Sequence, residues 1–74
     1  MSSIGPHVIL TPSTRVRVKN HVGYIIDHWI APNGVVVHRI HVTAHLKRGF
    51  GQTYTQTPMS KIIEPNYSFV TILD

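Results

Sequence analysis

From Arg15 the chain alternates strictly: Arg15-Val16-Arg17-Val18-Lys19 sets Val16 and Val18 on one side and three cations on the other. That period of two is the signature of a half-buried strand. Asn20-His21 follows as a turn, and Val22 to Ile30 is a β-branched and aromatic run that reads as a second strand. Gly23 stands near its start, where a bulge or a close backbone approach is expected. Pro32-Asn33-Gly34 then supplies a preset proline dihedral and two residues tolerant of positive φ, which predicts a hairpin and an antiparallel third strand.

Val35 to Leu46 can be counted two ways. As a strand it turns Val36, His38, Ile40, Val42, Ala44 and Leu46 inward, and Val37, Arg39, His41, Thr43 and His45 outward. As a helix it would carry four valines, an isoleucine and a threonine, all weak helix formers, directly after a hairpin turn. The strand is the better reading. Lys47 to Gln52 is a loop with two glycines; Thr53 to Gln56 alternates again as a short fourth strand that Pro58 interrupts. Met59-Ser60-Lys61 reads as a single helical turn, Glu64-Pro65-Asn66 as a break, and Tyr67 to Leu73 as a closing strand. Before all of this, Val8-Ile9-Leu10 lies among Gly5, Pro6 and Pro12 as a lead-in with one edge strand.

Five or six short antiparallel strands without an amphipathic helix or an internal repeat predict an all-β domain, a small barrel or a sheet curled closed on itself. The expected layout is one domain over residues 1–74: lead-in 1–13, barrel 14–65 and closing strand 66–74. Seventy-four residues support one core, since a chain of this size buries only about 60–65% of its unfolded surface. So small a core makes a homo-oligomer an expected state.

The order Arg15-Val-Arg-Val, a turn, Val22-Gly23-Tyr24-Ile25-Ile26, a hairpin, a long strand, and Met59-Ser60-Lys61-Ile62-Ile63-Glu64 resembles the SH3-like barrels over roughly Thr14 to Pro65. Within them the KOW-type modules are most similar, on Val22-Gly23-Tyr24-Ile25, and that resemblance implies binding of RNA or protein. The peptide-binding members differ, because their Ala-Leu-Tyr-Asp-Tyr-like run and acidic loop are absent here. The type II dihydrofolate reductases are similar only distantly: Tyr54-Thr55-Gln56-Thr57-Pro58 replaces their Val-Gln-Ile-Tyr run, so no pore residue carries over.

Composition narrows the field. Hydrophobic residues make up 42% and charged ones 14%, a folded rather than a disordered balance. Seven Lys and Arg against three Asp and Glu give a formal charge of +4, which favours an anionic partner. The absence of cysteine excludes disulfides and thiolate metal sites and fits a reducing compartment, so cytoplasm is the expected location. Met1 to Pro12 lacks the pattern of a secretory signal, and no stretch reaches the ~18 apolar residues of a membrane span.

Candidate chemistry is sparse. His38, His41 and His45 would share a face only on a helix; on a strand they split, and no metal site is expected. Asp27 and His28, as strand neighbours, point apart. With no Cys, no Gly-x-Ser-x-Gly, three carboxylates and a Gly49-Phe50-Gly51 that lacks a following lysine, the expectation is no enzyme and no cofactor. What remains is a basic and aromatic surface. Arg15, Arg17 and Lys19 on one strand, Arg39 with His41 on another, and Lys47 with Arg48 beside Phe50 and Tyr54 form the candidate nucleic-acid-binding set, for RNA or DNA. Tyr24, Trp29 and Phe69 read equally well as core or rim packing. The alternative function is a protein-interaction or homo-oligomeric assembly element that associates through Val35, Val37 and Tyr67 to Leu73.

Overall fold

Val16, Ile40, Val42 and Val70 expose no surface at all, and the strands that carry them make one sheet. The computed structural model describes residues 4–49, 51 and 54–73. Its strands are β1 (Arg15–Val18), β2 (His21–Ile30), β3 (Val36–Arg48), β4 (Tyr54–Ile63) and β5 (Val70–Ile72), with a 3₁₀ turn at Tyr67–Phe69. The order is β4-β3-β2-β1-β5, every pair is antiparallel, and there is no α-helix among the described residues. The protein is all-β. Its described ladder ends at β4 on one side and β5 on the other, which makes it an open sheet with two edges.

One face of the sheet builds the core. Val16 and Val18, Ile25, Ile40 and Val42, and Val70 meet there with Ile4 and Leu10 from the lead-in. Met59, Ile63, Tyr67 and Ile72 pack around them. Each fully buried Val or Ile contributes roughly 1.5–3 kcal/mol, so this face holds the domain together. β3 follows its predicted alternation as far as Val42, with Val36, His38, Ile40 and Val42 buried and Arg39 exposed; at the register shift beyond it the alternation ends, and Ala44, His45 and Leu46 are all half-buried.

The turns follow local chemistry. Ala31 and Val35 close the β2–β3 hairpin through an Ala31 N–H bond to the Val35 carbonyl, and Gly34 takes φ 86. At Gly23, partnered by Val16 and Val42, a Cβ would collide with the His41 carbonyl and reach within 2.9 Å of Val42 Cα. The β2–β3 register shifts there, as the glycine suggests.

Four local expectations change. The β1–β2 loop is Lys19-Asn20 rather than Asn20-His21, because the ladder claims His21 through Val18 and His45. Lys19 thereby leaves the strand face and adopts φ 53. The helical turn at Met59-Ser60-Lys61 is replaced by strand, since β3 runs on to Arg48 and offers β4 a full ladder. Pro58 is tolerated because β4 is an edge strand and Pro58 falls where the register shifts. The closing strand begins only at Val70: Asn66 Oδ1 accepts from the Ser68 N–H at 2.9 Å and from its hydroxyl at 2.8 Å, and this pulls Tyr67–Phe69 into the 3₁₀ turn.

The lead-in forms no strand at Val8-Ile9-Leu10; it is a strap. The Ile4 N–H donates to the Val70 carbonyl (3.3 Å), the Val36 N–H to Pro6 (2.8 Å), and the Ser13 N–H to Ile25 (2.8 Å). Between these ties Leu10 is buried and its N–H bonds the His38 side chain. Residues 4–14 thus link β5, the start of β3 and β2.

Candidate functional site

The face opposite the core carries a rung across four strands: Arg15 of β1 pairs with Tyr24, Tyr24 with His41, and His41 with Ile62. Ile25, Ile40 and Val42 point inward, so their neighbours Tyr24 and His41 must point out. His41 is held at both ring nitrogens, Nδ1 lying 2.8 Å from the Tyr24 hydroxyl and Nε2 2.9 Å from Ser60 Oγ. The two rings meet edge-on, 86° apart with centroids at 5.3 Å. Either hydroxyl can donate or accept, so a neutral ring satisfies both.

Two residues along β3, Arg39 lies on the same outer face between two acids. Its Nε is 3.4 Å from Glu64 Oε1 and its guanidinium 3.5 Å from Asp27 Oδ2. These are long, exposed contacts, each worth about 0–1 kcal/mol and weakened by salt. They place both described carboxylates on one arginine, and Arg39 is the one cation so paired among the described residues. Further along, Trp29 faces Val37 and stays 43% exposed. Arg15, Tyr24, His41, Arg39 and Trp29 therefore share one face.

Arg17, two residues along β1, shares the outer face with Arg15, and the rest of the expected set lies apart. Arg17 is half-buried and donates through Nε to the Lys19 carbonyl at 2.8 Å. Lys19, in the hairpin loop, holds its ammonium 4.6 Å from the Phe69 ring centroid, a cation–π contact. Lys47 and Arg48 pair with Thr55 and Tyr54 at the end of the β3–β4 hairpin, beyond the last β2 partner, His45. Six residues of strand from His41 to Lys47 span about 20 Å, so this end is separate from the rung. Phe50 lies outside the described residues, and Tyr54 is placed only by its backbone pairing with Arg48.

Tyr24 and Trp29 belong to the outer face, whereas the sequence reading drew its aromatics from Phe50 and Tyr54 and left Tyr24 and Trp29 between core and rim. Tyr24 was within reach, because Ile25 in the core puts its neighbour outside. Trp29 was not. Strict alternation from Ile25 would turn Trp29 inward, but the register shift between Ile25 and Asp27 adds a residue and turns it out.

His38 faces inward and His41 outward, as the strand reading requires, but the register shift brings His45, expected outside, to the side of His21 and buried Val18. His38 faces His28 with ring centroids 6.1 Å apart, and His45 faces His21 at 5.0 Å. No group of three or more His, Cys, Asp or Glu converges among the described residues, and none of them encloses a pocket. What this geometry offers is a shallow face that carries aromatic rings and cations. No family model, no curated protein and no solved structure matches this chain.

Proposed function

We propose that this chain is a small non-enzymatic binding module, an SH3-like barrel in type, that holds single-stranded nucleic acid on the outer face of its sheet. The observation that carries the reading is the placement of exposed Tyr24 and Trp29 on one face with Arg15, Arg39 and His41. Bases stack on aromatic rings whatever their sequence, and phosphates favour cations nearby. Both described acids contact Arg39, and no described carboxylate pairs with Arg15. An antiparallel meander whose last strand returns beside the first supports the SH3-like assignment, and the resemblance of Val22-Gly23-Tyr24-Ile25 to KOW-type modules favours RNA.

Trp29 is the one tryptophan of the chain and sits on the proposed face, so its fluorescence is the probe. Titration with an unstructured oligonucleotide should quench it, and log Kd should rise linearly with log salt at about 0.7 per phosphate contacted. No quenching and no binding at low ionic strength would end the proposal.

A second reading, self-association, is favoured by the exposed apolar side chains Trp29, Ile30 and Ile62. It draws less on the last strand than the sequence suggests, since Val70 is fully buried in the core. Sedimentation that stays monomeric at high concentration would exclude it.

A further inference from the structure

His38 is 1% exposed on the inner face, and its Nε2 lies 2.9 Å from the backbone N–H of Leu10. That N–H can only donate, so Nε2 must accept. A neutral ring that accepts at Nε2 carries its proton on Nδ1. A second proton would make Nε2 a donor as well and set it against the Leu10 N–H. Both groups would then be unsatisfied beside a buried charge, which is among the costliest arrangements a protein interior holds.

No described group facing His38 offsets such a charge. From β2 its direct partner is His28, itself basic. The strap holds one titratable side chain, His7, whose Nδ1 lies 3.2 Å from the Gly34 carbonyl. Arg39, next on β3, points to the other face, where Asp27 and Glu64 hold it. The β4 ladder stops at the Ile40–Ile63 pair, short of His38, and the 3₁₀ turn contributes Tyr67 and no charge. We propose that His38 is a proton-operated latch: uptake of one proton breaks its bond to Leu10 and lifts residues 4–14 off the inner face while the sheet stays formed.

The direction follows from linkage. Burial, and secondly the neighbouring His28, hold the His38 pKa below its ordinary 6.5. With the strap lifted, the ring regains its ordinary value. The closed strap is therefore fully favoured above pH 6.5 and loses ground as pH falls below it, by up to about tenfold per unit until the buried ring itself titrates. The strap rather than the sheet yields because its ties are scattered single bonds, whereas the strands are joined by continuous ladders.

Amide hydrogen exchange of the full chain, corrected for intrinsic rates, tests this at pH 7.5 and 5.5. Protection at Leu10 should fall about tenfold between them, while Ile40 and Val42 keep theirs. His38→Gln, whose amide oxygen can accept but does not titrate, should abolish the pH dependence. His28→Gln, at an exposed position, removes the repelling neighbour from the closed state and should lessen the total loss of Leu10 protection on acidification. An unchanged Leu10 amide in the wild type would overturn the latch, as would loss of protection in step with Ile40 and Val42. If His38→Gln does not fold, an undiminished loss of Leu10 protection in His28→Gln is the overturning result.

Discussion

The hydroxyl of Tyr24 lies 2.8 Å from Nδ1 of His41, and the phenol ring meets the imidazole edge-on. The bond orients a ring that is still 37% exposed, which leaves surface for a base to stack on. Tyr24→Ala should weaken oligonucleotide binding by about 1–3 kcal/mol, a factor of roughly 5 to 150 in Kd. Tyr24→Phe keeps the ring and should leave Kd within about twofold, while the lost exposed hydrogen bond costs about 0.5–1.5 kcal/mol in stability. Parallel titrations and thermal melts of the two variants separate these effects.

Charge variants should locate the ligand. Arg15→Gln removes one cation from the rung and should reduce the salt slope by about 0.7, the contribution of one single-strand phosphate. Glu64→Gln frees Arg39 from one of its two acids and should tighten binding at low salt. Lys47→Gln, at the hairpin end, should leave affinity nearly unchanged for an oligonucleotide short enough to cover the rung alone. Loss of binding in Lys47→Gln with none in Arg15→Gln would move the contact surface to the hairpin.

Gly23→Ala should be costly because the obstacle is backbone. The added methyl would meet the His41 carbonyl, which has no rotamer to escape into. Overpacking of this kind costs about 1–3 kcal/mol, and in a domain this size each kcal/mol lowers Tm by about 4–8 °C. Circular dichroism melts measure it directly.

That glycine was readable in the sequence, as were the alternation of β1, that of β3 as far as Val42, and the Pro32-Asn33-Gly34 turn, because each is a local rule with few competitors. Other features depended on partners that no local pattern reveals. Trp29 faces outward only because the ladder slips near Ile26. Met59-Ser60-Lys61 extends because β3 is long enough to pair with it. Val8-Ile9-Leu10 has the composition of a strand, yet Leu10 spends its N–H on a side chain twenty-eight positions away. Of the expected basic set, Arg15, Arg17, Arg39 and His41 share a face, as strand parity requires. Lys19 left it through a one-residue shift of the β1–β2 turn.

Two isoleucines offer a contrast in burial. Ile40 exposes nothing, and Ile62 is 59% exposed. Ile40→Ala should cost about 2–5 kcal/mol, a large share of the total stability of a domain this small. Ile62→Ala should stay within about 0.5 kcal/mol. Urea unfolding midpoints compare them, and if Ile62→Ala were as damaging as Ile40→Ala, the outer face would be covered rather than open.

β1 pairs on one side with β5, Val16 meeting Ile72, and Ile4 reaches across to Val70. The earliest and latest segments therefore complete each other, and a ribosome delivers the first of them long before the second. Until Val70 emerges, Val16 and Val18 have a vacant flank. Assembly must wait for the end of this stretch, and closing so long a loop slows it relative to a helical domain of equal length. A nascent chain stalled after Ile63 should therefore remain sensitive to protease, and extension past Ile72 should protect it in a single step.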